Sequence, residues 1–422
     1  MMRLQLRPYA DTLSLRLLMW VGGLLLCMGL PLHAGDVAEA AANGSLWRNS
    51  SEELTKGVLQ GVLFRAVDKK TLRLRRNSAL GFARVRTGDV VLEFSDDRSH
   101  VVGVNTTIYN KGDDGDLPKA EFEELIKSSQ EKLSRLLQAE PRPRKLSRRD
   151  TGVRLRAWEW ETEHCAVLME ASATGSGKKY VAEFIRLSMA PTREDLERGG
   201  ADDAAKRAEL KANVKSRDDG TVWIGNVPMV DQGEKGYCVP ASLSRVFAYY
   251  GMDGVDQHAL AALCRSGGDG TTLEGMEKAL RSISGAFHIS VNSIEWMNRK
   301  TMVRDMTRLM QKKRMMPEQV SPLMVLEYVN SKPGLLRKGM KEIKKQIDSG
   351  LPVVWAVLLG LFPEQGLPQS MGGHMRLIIG YNEEEQAIIY TDSWGGGHEM
   401  KAMRLDQACV ITQALYVLRP RR

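Results

Sequence analysis

Residues 374–392 leave the chain little conformational choice. His374 opens the run Met375-Arg376-Leu377-Ile378-Ile379-Gly380-Tyr381, Asn382-Glu383-Glu384-Glu385-Gln386 has the composition of a turn, and Ala387-Ile388-Ile389-Tyr390-Thr391 returns to Asp392. Branched and aromatic residues on both sides of a polar turn predict a β-hairpin. A hairpin brings its two ends together, so His374 and Asp392 are predicted neighbours, as a base and its orienting carboxylate must be. His374 also follows Gly372-Gly373. Most of the other histidines lack such a setting: His164 abuts Cys165, His258 lies in a short helical stretch, and His288 and His398 have no partner pattern.

A nucleophile for that base is found upstream. The segment Asp231-Gln232-Gly233-Glu234-Lys235-Gly236-Tyr237-Cys238-Val239-Pro240 leads into Leu243, Val246, Phe247 and Tyr250, an apolar stripe of helical period ended by Gly251. Cys238 is thus expected at a helix N-terminus, where unpaired amides and the helix dipole stabilise a thiolate. Pro240 suits the first turn, where its missing N–H is not needed. Gln232, on the loop before the helix, can fold its amide back beside the Cys238 N–H. Two donors would then face the oxygen that becomes negative during attack on a carbonyl. The alternative for Cys238 is a buried structural thiol.

The N-terminus has a different character. Arg3, Arg7 and Arg16 precede the apolar run Leu17–Leu30, which is short for a bilayer span, and Pro31-Leu32-His33-Ala34-Gly35 follows with a helix breaker and small residues. Residues 1–34 are expected to be a signal peptide, and the protein to be exported (periplasmic, cell-surface or secreted), without stable membrane insertion once the signal is removed. Cleavage removes three arginines and one aspartate, which lowers the formal net charge from +8 to +6. That mild excess, in a chain that is 43% apolar and 27% charged, does not form the clustered basic footprint of a nucleic-acid binder. The run Arg142–Arg149 is expected to be a solvated loop. Cys165, Cys238, Cys264 and Cys409 remain, and a catalytic Cys238 leaves at most one disulfide among the other three.

Between the signal segment and Thr221 the chain reads as a smaller α+β domain over 45–190 followed by a charged linker over 191–220. Thr71-Leu72-Arg73-Leu74-Arg75, Val90–Phe94, Val153–Trp160 and Tyr180–Ile185 read as strands, and Leu117–Ala139 as an amphipathic helix. Gly175-Ser176-Gly177-Lys178-Lys179 is not a phosphate-binding loop, because Ser172 and Lys179 stand where a glycine and a Ser or Thr are required. It is expected to be a turn between strands. In the domain over 221–422, the methionine-rich stretch 285–333 is expected to supply core and cleft rim, and the loop Leu359–Gly373 a cleft wall. Histidines and cysteines do not cluster at ligand spacing, so no metal and no cofactor are expected.

Gln-Gly-x-x-Gly-x-Cys at 232–238, the glycine-preceded His374 and Asp392-Ser393-Trp394-Gly395 together resemble the papain-like cysteine peptidases. The Val227-Pro228 opening, Tyr249-Tyr250-Gly251, Gly270-Thr271-Thr272 and Gly350-Leu351-Pro352-Val353 resemble most closely the branch of bacteriocin-processing, double-glycine leader peptidases. The resemblance spans about half the chain. It implies an α+β papain-like fold, with a helical part carrying the cysteine and an antiparallel sheet carrying the histidine and aspartate. It also implies Cys238 as nucleophile, His374 as base, Asp392 as orienter, Gln232 in the oxyanion hole and Trp394 as a shield over the His–Asp contact. Val239 departs from the double glycine that follows many leader-peptidase cysteines. The chain carries neither the exporter nor the ATPase to which the classical leader peptidases are fused, so bacteriocin maturation is not the expected role. The expected function is a thiol protease acting on a peptide or protein substrate. A cell-wall amidase or transglutaminase-like acyltransferase, and a non-catalytic binding module on the same fold, stand as alternatives.

Overall fold

The computed structural model of the protein describes residues 36–421 except 57–58, 60–63, 67–69, 75–80, 96, 146–154, 199–206, 234–235, 253–255, 265, 267–269, 285–286, 317–318 and 365–370. The expected signal segment, Arg148-Arg149, Asp202-Asp203, and Gly366 and Pro368 of the loop before His374 lie outside the described residues.

Helices and two antiparallel sheets make up the molecule, an α+β architecture. The first sheet contains β1 (Phe64–Ala66), β2 (Thr71–Leu74), β3 (Val90–Phe94), β4 (Val101–Asn110), β5 (Arg142–Arg144), β6 (Leu155–Glu161), β7 (Ala166–Thr174) and β8 (Val181–Ala190). Its spatial order is β1-β2-β3-β4-β8-β7-β6-β5. Alternation decides which face is buried: Val90, Leu92 and Phe94 point inward from β3 while Val91 and Glu93 are less covered. The helix Lys119–Leu137 joins the same apolar cluster through Phe122, Ile126, Leu133 and Leu137, and the Trp160 indole N–H donates to Ser134 Oγ at 3.1 Å. This helix occupies the predicted span within two residues at either end. Gly177–Lys179 is one turn of 3-10 helix between β7 and β8, as its composition predicts.

The second sheet contains β9 (Val214–Ser216), β10 (Thr221–Ile224), β11 (Ile289–Ile294), β12 (Val353–Leu359), β13 (Gly372–Asn382), β14 (Ala387–Thr391), β15 (Lys401–Arg404) and β16 (Thr412–Pro420). Its main path is β11-β16-β12-β13-β10-β9, with β14 and β15 extending from β13. The helix Cys238–Tyr249 is almost wholly buried against it and shares one large core with the helix Pro333–Ile347 and with Val353, Val354, Trp355, Leu377 and Ile378. Two stretches contain strands that their local pattern does not predict. Residues 207–216, expected in a linker, form the helix Arg207–Ala212 and the strand β9 on the outer side of β10. The methionine-rich stretch begins with β11, which pairs along its length with β16, before the helices Arg299–Lys313 and Pro322–Asn330. β9 is three residues long and largely polar, and β11 pairs with a strand at the far end of the chain, so local pattern hides both.

The fully buried Leu133 lies where the long helix meets the first sheet. Leu133→Ala should lower unfolding free energy by about 2–5 kcal/mol, while Lys127→Ala on the exposed face stays within about 0.5 kcal/mol. Urea unfolding followed by tryptophan fluorescence measures both.

Candidate active site

Cys238 is the first residue of its helix, with Tyr237 at the N-cap. His374 lies near the start of β13, opposite Val357 of β12. Asp392 follows the last residue of β14. The β13–β14 hairpin therefore has the predicted limits, but a plain hairpin would not unite the two side chains. Pairing runs Asn382↔Ala387, Tyr381↔Ile388 and Gly380↔Ile389, then slips by one residue to Ile378↔Tyr390 and Leu377↔Thr391. Without that bulge, Asp392 would lie opposite Leu377 and point to the other face of the sheet. With it, Asp392 lies opposite Arg376, on the face shared by His374 two residues earlier.

The result is a chain of contacts. His374 Nε2 lies 2.9 Å from Asp392 Oδ1, which leaves Nδ1 for the thiol, and a hydrogen bond joins His374 to Cys238. Trp394 stacks on the imidazole with centroids 4.2 Å apart and planes 12° from parallel. His398 packs edge-on against the Trp394 indole, with centroids 5.6 Å apart.

Gln232 is held from the same segment. Its N–H donates to Ser393 O at 2.8 Å, and Ser393 Oγ–H donates to Gln232 Oε1 at 2.7 Å. The hydroxyl thus sets which end of the amide is carbonyl, and the N–H donors lie at the other end. Cys238, His374, Asp392 and Gln232, which the sequence places far apart, are joined in one locus.

Three residues outside the predicted set build this locus. Arg376 Nε donates to the same Asp392 Oδ1 at 2.9 Å, and its Nη1 lies 2.9 Å from Glu364 Oε2. Tyr390 O–H donates to Glu364 Oε2 at 2.6 Å, and its ring lies 4.5 Å beneath the Arg376 guanidinium. Arg245, one per cent exposed, donates to Pro228 O, Asp392 O and Thr391 Oγ1, each at 2.7 Å. Ser393 is the third, and Glu364 and Tyr390 brace Arg376. A sequence signal existed for two of them: Arg376 stands two residues after His374 on one strand, and Arg245 seven residues after Cys238 on one helix, so each shares its partner's face.

Electrostatics follow from the contacts. Burial of Cys238 opposes ionisation, but the hydrogen bond and charge of His374, with the N–H groups of Met375 and Val239, outweigh it and hold the thiol below its ordinary range. Burial likewise opposes charge on His374, and its bonds to Asp392 and Cys238 win, raising its pKa. Asp392, buried too, is lowered because His374 and Arg376 overcome desolvation. The other described cysteines behave in the opposite way: Cys165, Cys264 and Cys409 are free and buried, and burial pushes Cys264 and Cys409 up to about 12. No disulfide links them.

A cavity of about 1310 Å³ opens at the end of the sheet where β12 stops and β13 begins, three residues from His374. Gly360, Leu361 and Met371 of the loop before His374 line it, with Met297 and Met302 from the methionine-rich stretch. Among the described residues, no group of His, Cys, Asp and Glu is arranged to hold a metal ion.

Residues 224–411 match the profile of the Peptidase_C39 like family, a span that begins at the end of β10 and contains the whole locus. That match supports assigning this part of the chain to the papain-like cysteine peptidase superfamily. No curated protein matches the chain. In this peptidase-like half, Arg245→Met should strand three buried acceptors at roughly 1 kcal/mol or more each, lowering stability by about 3 kcal/mol or more. Urea unfolding should show an earlier midpoint with an unchanged slope.

Proposed function

We propose that the protein is an exported cysteine peptidase that cleaves peptide bonds through a thioester acyl-enzyme. The observation that carries this reading is the continuous contact from Cys238 through His374 to Asp392, with Gln232 anchored beside it by Ser393. The Cys238 thiolate attacks the carbonyl carbon of the scissile bond, and the electron pair of the C=O moves to oxygen. The Cys238 N–H and the Gln232 amide donate to that oxyanion. His374, protonated on Nδ1, gives its proton to the leaving amine as the C–N bond breaks. Water then loses a proton to His374, attacks the thioester carbon and releases the carboxylic acid, returning the thiolate.

Asp392 keeps the imidazole in one orientation and favours its charged form, and Trp394 covers one face of the ring. The cavity that Met371 of the loop before His374 helps to line, with its methionine, leucine and tryptophan side chains, suits an apolar stretch of polypeptide. Export rests on the arginine-flanked apolar run near the N-terminus.

The pKa directions define a pH window. A lowered cysteine is already thiolate below its ordinary value of about 8.5, and a raised histidine stays protonated above its ordinary value of about 6.5. Both directions widen the pH range in which thiolate and imidazolium coexist. The pair is lost on the acid side as Cys238 protonates and on the alkaline side as His374 deprotonates.

Iodoacetamide should alkylate Cys238 rapidly near neutral pH and leave Cys165, Cys264 and Cys409 untouched. His374→Ala should move the alkylation midpoint up toward about 8.5, and Cys238→Ala should abolish labelling. Mass spectrometry of the labelled full chain reads all three. A Cys238 that reacts only above pH 8.5, or that is indifferent to His374, overturns the peptidase reading.

A further inference from the structure

The loop from Asp231 to Tyr237 carries Gln232 and delivers the chain to Cys238, and residues of the first sheet grip it at both ends. At the Asp231 end the donor is Arg73, on β2. Its Nη1 donates to Asp231 O at 3.0 Å and lies 3.5 Å from Asp231 Oδ1, which itself accepts the Gly233 N–H at 2.9 Å. Asp89, at the foot of β3, accepts from Arg73 Nε at 2.6 Å and so aims the guanidinium. Arg73 is 9% exposed. Gly233 has φ +76°, and a Cβ there would stand 2.8 Å from Arg73 Nη2, so the guanidinium lies directly against the backbone next to Gln232.

At the other end, Tyr237 O–H donates to Asn110 Oδ1 at 2.6 Å. Asn110 closes β4, is 1% exposed, and has its amide nitrogen 3.1 Å from His258 Nδ1. A Cβ on Gly112 would come within 2.6 Å of the Tyr237 ring, so the chain after β4 is pressed against the residue before Cys238. A second ionic contact between the halves, Arg186 of β8 with Asp256, lies just before the helix Gln257–Cys264 that carries His258.

We infer that Arg73 is a positioning residue for the oxyanion hole, which makes the first sheet a working part of the acyl-transfer site rather than a separable appendage. The inference rests on the proposed peptidase reading and deepens it. Oxyanion donors act only when held within a fraction of an ångström of the developing charge, and loss of one donor costs about 10²–10³ in rate. Ser393 holds the Gln232 side chain and its backbone N–H from one side, and the flanking backbone at Asp231 and Gly233 is what Arg73 touches from the other. The thiolate–imidazolium pair, in contrast, draws on His374, Met375 and Val239, none of which Arg73 contacts.

That difference supplies the test on the full chain. Acylation by p-nitrophenyl acetate, followed as the burst of p-nitrophenolate, needs the oxyanion hole, whereas alkylation by iodoacetamide reports the thiolate. Gln232→Ala serves as the reference for a lost donor. Arg73→Lys, which keeps the charge but not the two-armed geometry, and Tyr237→Phe, which deletes one hydroxyl, are both mild enough to fold. Near-UV circular dichroism checks that they do. Arg73→Lys is expected to slow acylation by roughly 10- to 100-fold, Tyr237→Phe by less, with the pH midpoint and plateau of alkylation unchanged in both.

Wild-type acylation in Arg73→Lys alongside slow acylation in Gln232→Ala overturns the inference and leaves the peptidase reading standing. A parallel fall in acylation and alkylation overturns it as well, since a general loosening would then explain both. If wild type shows no burst, or Gln232→Ala acylates like wild type, the fault lies in the assignment of the oxyanion hole, and the inference falls with it.

Discussion

The Arg245 guanidinium joins three separate stretches of chain. Its donors go to Pro228, ahead of the Gln232 loop, and to Thr391 and Asp392 at the end of the hairpin, while its own backbone lies two turns below Cys238. A charge so fully removed from water is costly, and burial holds its pKa down to about 10. The three acceptors offset that cost only when all three segments are in place. The arrangement is therefore cooperative: the helix, the loop and the hairpin end either meet around the guanidinium or leave it unpaired. Ser242 adds a lighter tie from the same helix, donating to Met375 O at 3.2 Å.

Asp392 is the second node, and its electrostatics depend on a backbone irregularity. The bulge in β13 turns this carboxylate to the side of the sheet where His374 and Arg376 already stand. One oxygen then accepts from both, and the two cationic partners together overcome the desolvation of a fully buried carboxylate. Glu364 and Tyr390 hold Arg376 from behind, so the guanidinium is not free to swing away when the imidazole loses its proton. The carboxyl contributes stability above the ordinary carboxylate range that disappears as pH falls through its lowered pKa. That contribution is in full force at neutral pH.

The hairpin, the helix after Cys238 and the helix over 119–137 were legible because each has a strong local period and a clear stop. The His–Asp proximity was legible as an approach of two strand ends, but the face on which they meet was not. A bulge at Ile379 leaves no mark in a run as uniformly apolar as Leu377-Ile378-Ile379. β9 is hidden because it is three residues long and largely polar, and β11 because its partner β16 lies at the far end of the chain. Arg245 and Arg376 were passed over for a related reason. An arginine inside an apolar helix or strand ordinarily reads as an exposed position, and only the assembled acceptors explain its burial.

Contacts between the two halves are mostly polar. Each sheet closes its own apolar core, and the cluster linking them is small, with Phe184 of β8 against Ala259 of the helix Gln257–Cys264. Apolar surfaces slide at little cost, whereas charged hydrogen bonds have narrow preferred distances and angles. Arg73 on Asp231, Tyr237 on Asn110 and Arg186 on Asp256 thus locate one half relative to the other more sharply than their modest number suggests. All three fall on the loop before Cys238 or on the helix beneath it, and none on the β13–β14 hairpin. The first sheet therefore meets the cysteine and glutamine side of the site, while the histidine and aspartate side is held by the second sheet and by Arg245 and Ser242 of the helix Cys238–Tyr249.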